Sequence, residues 1–220
     1  MKKIIAVVLM LVSVIALFAG CSSNKQSFTQ KNYEADGTQV EEISIDVRDR
    51  KIEVSLSKDN QIHIEYAESE KEYYDIAVSD NNVLTMTANT DKEWSDFIGA
   101  KPDAENRKIN LQIPDLLLTS LKLSTTNEDI RLSALNVTEA IILSSNGGNI
   151  SFEKINAGSN ISLTVKNGNI AGSIARGYDD YNIACEIKKG ESNLPSEKTG
   201  GSKNLSVNAN NGDVKIEFYK

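Results

Sequence analysis

The chain has 220 residues, with 24 basic against 31 acidic side chains, one histidine, two cysteines and a formal net charge of −7. That length suffices for one domain with a substantial core or two small ones. An acidic balance without any Lys/Arg cluster argues against nucleic acid and against direct adhesion to anionic lipid, and one histidine with two cysteines is too few for a His/Cys zinc site.

At the start, Lys2 and Lys3 form a positive region, and Ile4 to Phe18 is apolar except for Ser13. A run of about 15 residues is short of the roughly 20 that cross a bilayer as a helix. It reads instead as a cleavable leader. Phe18-Ala19-Gly20-Cys21 resembles a lipobox, the bacterial motif in which small residues precede a cysteine that receives lipid, although Phe18 stands where Leu is usual. The expected organisation is a lipoprotein signal peptide over 1–20, a lipid-anchored tether over 21–39 and a β-strand-repeat domain over 40–220. Cys21 is then the lipidation site, and the protein sits at the cell membrane on its extracytoplasmic face. An ordinary secreted protein cut after Gly20 is the alternative. With Cys21 used as a thioether, only Cys185 remains, in the alternating row Tyr181, Ile183, Cys185, Ile187, where it reads as a small buried hydrophobe.

From residue 40 onward, strict alternation of apolar and polar residues predicts strands. Ile43, Ile45 and Val47 form one row; Ile52, Val54 and Leu56 a second; Ile62, Ile64 and Tyr66 a third. Lys58-Asp59-Asn60 is a turn signal of the kind that joins hairpin strands, and Ser79-Asp80-Asn81-Asn82 separates another candidate pair, Tyr74 to Val78 and Val83 to Thr87. Alternation lapses from Thr90 to Pro114. There Trp94, Phe97 and Ile98 stand at helical spacing after Asp91 and before Gly99, which predicts a short amphipathic helix or turn. Its structural role would be a cap over an open end of the core. Its functional role would be an aromatic platform of Trp94 and Phe97, joined by Tyr73 and Tyr74, for a sugar or peptide.

The second half repeats. Asn127-Glu128-Asp129-Ile130, Gly147-Gly148-Asn149-Ile150, Asn167-Gly168-Asn169-Ile170 and Asn211-Gly212-Asp213-Val214 align as one turn, with spacings of 20, 20 and 44 residues; Gly190 halves the last. Around each turn lie three short apolar rows, as in Leu121 and Leu123, then Ile130 and Leu132, then Leu135 and Val137. Three inward rows per roughly 20 residues is the pattern of a β-solenoid (β-helix-like) with coils of roughly 20–22 residues. An antiparallel β-sandwich is the alternative all-β fold. Gly and Asn suit corners that need positive φ, and the Asp or Asn that follows is expected to bond its own backbone there.

Little in the chain speaks for catalysis. The one histidine, His63, alternates outward beside Glu65, and no nucleophile elbow, phosphate loop or dinucleotide fingerprint is present. Turn carboxylates Asp129, Asp179, Asp180 and Asp213 are the only candidates for a calcium-assisted polysaccharide enzyme, and the period of about 20 differs from the nine-residue calcium-binding repeat. The expectation is no enzyme, no catalytic residue, no metal and no cofactor.

Ile109-Asn110-Leu111-Gln112-Ile113-Pro114, then Leu121-Lys122-Leu123-Ser124-Thr125-Thr126-Asn127-Glu128-Asp129-Ile130, and then the recurring Asn-Gly-Asn/Asp-Ile/Val turns resemble the bacterial putative-adhesin family of β-strand-repeat proteins, whose function is largely unassigned. The resemblance spans about residues 40 to 220. It implies a right-handed, solenoid-like all-β fold and carries no catalytic residues; Glu128 departs from the usual Gly. The function expected is a membrane-anchored surface lipoprotein with a non-enzymatic binding or scaffolding domain. Its partners would be the lipid membrane, through Cys21, and an envelope protein or glycan. An accessory lipoprotein of an envelope-stress or signalling system is the other reading.

Overall fold

The computed structural model describes residues 26–93, 101–115 and 118–219. The leader, Cys21, Trp94 and Phe97 lie outside them, while Asp91 to Glu93 of the expected helix are not helical. The protein is all-β: the described residues hold eighteen strands and a few 3-10 turns, and no α-helix.

The strands build two nine-stranded sheets. In the first, the spatial order is β1 (Thr29–Asp36), β4 (Gln61–Glu68), β7 (Lys108–Ile113), β3 (Lys51–Leu56), β9 (Ile130–Leu132), β12 (Ile150–Ala157), β14 (Ile170–Ile174) and β18 (Val214–Phe218), with β10 (Asn136–Val137) beside β12. In the second, it is β5 (Glu72–Val78), β6 (Val83–Thr90), β2 (Glu42–Asp46), β8 (Ser120–Thr125), β11 (Ala140–Ser145), β13 (Asn160–Asn167), β17 (Lys203–Asn211), β15 (Tyr181–Lys189) and β16 (Glu197–Lys198). Both sheets are mixed. Pairing is parallel through the middle of each and antiparallel only at β1–β4–β7, β5–β6 and β15–β16, so an all-antiparallel sandwich does not form.

Between the ends, the chain alternates sheets, and each tier contributes one strand to each: β2 with β3, β8 with β9, β11 with β12, β13 with β14, β17 with β18. The 20-residue repeat of the sequence is the register itself, since Leu121 pairs Ile141 and Ile141 pairs Ile161. Alternation turns one row of every strand inward. Equivalent apolar residues therefore stack in columns. One column runs Met86, Ile45, Leu123, Leu143, Leu163, Val207, Cys185, and all seven are buried. Cys185 thus packs as the small hydrophobe expected. The third row, Leu135, Val137, Ile155 and Ile174, is buried too, and pairs only through the two-residue ladder of β10 on β12 and the Ile155–Ile174 step of β12 on β14.

Three expectations change. Leu56 is 41% exposed, so the row of β3 ends at Val54. The turn at Lys58-Asp59-Asn60 does not close a hairpin, because β7 lies between β3 and β4. Gly190 does not lie between the tiers of Gly168 and Gly212: β17 inserts between β13 and β15, and the spatial order is 168, 212, 190. The hairpin of β5 and β6 forms as read.

The corners between sheets explain the repeated turn residues. The Asx side chain does not fold back on its own turn but accepts from the backbone of the next tier. Asp129 Oδ1 accepts the Asn149 N–H at 2.9 Å, Asn149 Oδ1 that of Asn169 at 2.8 Å, Asn169 Oδ1 that of Asp213 at 2.8 Å, and Asp213 Oδ1 that of Glu191 at 2.9 Å. Glycine is needed one residue earlier. A Cβ on Gly212 would lie 2.0 Å from the Gly168 carbonyl oxygen, at φ +140°. Glu128, which stands where the other corners have glycine, keeps the register through Asp129 and turns its carboxylate to Arg107.

Gly212→Ala is expected to cost about 3 kcal/mol, from left-handed strain and from backbone contact that cannot relax. Gly200→Ala, at φ +103° with nothing within 4 Å, should cost only about 1 kcal/mol. Urea unfolding of the two variants measures the difference.

Candidate functional site

Tyr73 and Tyr74 are neighbours on β5, so alternation sends them to opposite sides. Tyr74 is turned toward the core. Its hydroxyl accepts from Arg50 Nε at 2.6 Å, and its ring meets Tyr66 edge-on at 5.4 Å. Arg50, only 4% exposed, also bonds Glu72 at 2.6 Å, and Lys92 pairs with the same carboxylate. Burial first, then the Glu68 carboxylate, pushes the Tyr66 hydroxyl up to about 12. Tyr73 instead lies beside Asp91, whose charge raises its hydroxyl. The two tyrosines therefore do not share a platform, and Tyr74 serves a polar lock at one end of the core.

The turn carboxylates do not converge. Asp129 and Asp213 stand three tiers apart in the corner ladder, about 14 Å at the spacing of adjacent strands. Asp179 and Asp180 lie in a 3-10 turn before β15, where Asp180 accepts from the Gly177 N–H at 3.1 Å. Among the described residues, no group of three or more His, Cys, Asp and Glu side chains is placed to hold a metal ion.

A groove on the outer face of the first sheet is the concave surface that sequence reading missed. It encloses about 820 Å³. Register aligns its outward residues across the strands: Glu65, Asn110, Glu53, Arg131, Ser151 and Ala171, one per strand from β4 to β14. Gln112, Ser55 and Ser133 lie beside them, and Asp129 and Asn149 of the corner ladder form one wall. Ser55, Ser133, Ser151 and Ala171 keep the floor low between the longer side chains. Strand β12 also bends away at a bulge, with the register shifting between Phe152 and Ile155 and Lys154 at φ 44°. Beyond Gly172 the groove continues into a second hollow of about 270 Å³ that ends at Tyr219.

The electrostatics of the groove are acidic with local compensation. Hydrogen bonds from Lys108 at 2.7 Å and Lys51 at 2.5 Å hold the Glu53 carboxyl below its ordinary value. Arg131 reaches Asp129 at 3.3 Å. Glu153 and the hydroxyls of Ser55, Ser133 and Ser151 have no protein partner among the described residues. At the margin, His63 sits between Asp59 at 3.0 Å and Glu34 at 3.5 Å.

Residues 40–220 match the family described as Toastrack DUF4097. Among solved structures, the chain is similar to a putative cell adhesion protein from Clostridium sporogenes, at 17% identity over 88% of this chain and 100% of that one, with a TM-score of 0.58. At that identity the likeness is one of fold. Putative adhesins from Bacteroides fragilis (15% identity, 88% and 98% of the chains, TM-score 0.34) and Parabacteroides distasonis (15%, 88% and 97%, 0.32) also match, at scores that add nothing to the argument. No curated protein matches. The family resemblance drawn from the repeated turns is borne out.

Two measurements test this arrangement. Arg50→Ala leaves the half-buried Tyr74 hydroxyl without its donor and Glu72 with Lys92 alone, and urea unfolding should show a loss of about 1–3 kcal/mol. The Asp59 carboxyl is pushed down from 3.8 to about 2 by the Ser57 hydroxyl, the Gln61 N–H and His63. Its folded value lies below its unfolded one, so its contribution is complete above pH 4 and disappears as pH falls through about 2. The Tm gap between the native chain and Asp59→Asn should close over that window.

Proposed function

The chain belongs to the Toastrack DUF4097 family, and from that membership we propose that it is a non-enzymatic binding module of the bacterial cell envelope, lipid-anchored through Cys21 on the extracytoplasmic face. We read its two-sheet stack as a right-handed β-solenoid with coils of 20 to 22 residues, the register offsets from β8 through β13 and between β15 and β17. The polar groove of about 820 Å³ on the first sheet carries the binding part of the proposal. It offers unpaired hydroxyls and a carboxylate on a face braced by six strands, a rigid platform for ligand recognition. The anchor is supported by the leader pattern and by Phe18-Ala19-Gly20-Cys21. Acyl chains contribute about 0.8 kcal/mol per buried methylene, so two or three keep such a domain at the membrane surface. The similarity to a putative cell adhesion protein agrees with a surface role.

Fractionation of cells making the Cys21→Ser chain should move the protein from the membrane to the soluble fraction with its fold intact; retention on the membrane overturns the anchor. The released chain should sediment with isolated cell envelopes. Ala171→Trp, which fills the groove, should reduce that binding at least tenfold, whereas Thr164→Trp on the second sheet should leave it unchanged. Equal binding by both variants overturns the groove.

A further inference from the structure

We infer that the groove on the first sheet takes a linear, uncharged polysaccharide lying along the stack, across the strands; this rests on the reading of that groove as the binding surface. Its long axis crosses β4, β7, β3, β9, β12, β14 and β18. Seven strands about 4.8 Å apart give a track of about 29 Å. Because register is kept, each strand presents one outward residue at the same level, and the track repeats with the strand spacing.

A polymer that uses such a track needs a repeat of similar length. A pyranose ring linked through equatorial positions advances by slightly more than one strand spacing of about 4.8 Å, so that alternate rings, which face the same way, meet every second strand. An extended peptide advances about 3.3 Å per residue, or about 6.6 Å between side chains on one side, and falls out of step within two tiers. Nor is a main-chain ladder open to a peptide here, since every strand between β4 and β18 is hydrogen-bonded on both sides.

The side chains agree with sugar hydroxyls, which both donate and accept. Ser55, Ser133 and Ser151 have hydroxyls of the same double capacity, Gln112 has a carbonyl and an amide, and Glu153 accepts. Ala171, on the outward row beside Ser151, leaves room for the ring between it and the wall. At the far end Tyr219 is 46% exposed, its hydroxyl donating to Glu217 at 2.6 Å, so that its ring is held for stacking. Charge narrows the class. Glu65, Glu53, Asp129, Glu153 and Glu217 outnumber Arg131 and Lys215 along the groove, which disfavours polymers bearing phosphate, sulfate or carboxylate groups.

Titration calorimetry on the Cys21→Ser chain tests the inference with cellohexaose, the N-acetylglucosamine hexamer, their disaccharides, a galacturonic acid hexamer and a lysine hexapeptide. One of the neutral hexamers should bind at least tenfold tighter than its disaccharide and than the galacturonic acid hexamer. Ala171→Trp and, independently, Ser133→Trp should each weaken that binding at least tenfold; Thr164→Trp should change it less than twofold, with thermal unfolding confirming that each variant folds. No neutral hexamer binding, binding without length dependence, or binding that neither groove variant weakens overturns the inference. Capture of the lysine peptide alone, blocked by Ala171→Trp, overturns the polysaccharide and leaves the groove as the binding surface. Envelope binding that survives Ala171→Trp removes the groove itself.

Discussion

Everything in the domain depends on the contact that each corner makes with the one beneath it. A parallel stack survives only if successive tiers stay in step over six or seven levels, because a slip of one residue turns an entire inward row to solvent. Register is fixed at the corner by two devices. The glycine column brings backbone against backbone, and the Asx column hands each side-chain oxygen to the next amide. Neither device contributes much alone; an ordinary hydrogen bond is worth about 1 kcal/mol net. Repeated at each corner, they leave one alignment in which Leu123, Leu143 and Leu163 stack.

A stack held this way has two ends, and each is closed differently. At one end the sheets turn antiparallel and are covered by Tyr33, Tyr66 and Tyr74, with Arg50 buried and Glu72 half-buried beside them. At the other, residues 190–202 fold over the last tier. Leu194 is buried in the core, and the Asn193 amide exchanges two hydrogen bonds with the backbone of Ile216 at 2.8 and 3.0 Å, occupying the edge of β18. Both devices keep open sheet edges from pairing with other chains.

The inward rows and the repeated turn were legible because alternation and a fixed period are local signals. Ile43, Ile45, Ile130, Leu132 and their equivalents could be placed inside before any contact was known. What escaped was the neighbour relation. Gly190 makes the same kind of corner whichever tier lies next to it, so its place in the sequence does not tell that its tier lies beyond that of Gly212. The Asx residues were visible, and their partners 20 to 44 residues away were not. The groove was invisible for a related reason. Each strand supplies one ordinary outward residue, such as Ser55, Ser133 or Ser151, and only parallel register gathers them into one surface. Tyr73 and Tyr74 looked like a pair because they are adjacent, which on a strand guarantees that they part.

The insertion of β17 between β13 and β15 sets the order in which the molecule comes into being. As the chain emerges from its N-terminus, β15 is made before the strand that joins it to the rest, and until residues 203–218 arrive it has only the two-residue β16 as a sheet neighbour. Strands β13 and β14 wait with open edges for the same segment. The C-terminal end of the domain therefore cannot assemble tier by tier during synthesis or export. It closes only once β17 and β18 are available to pair β13, β14 and β15.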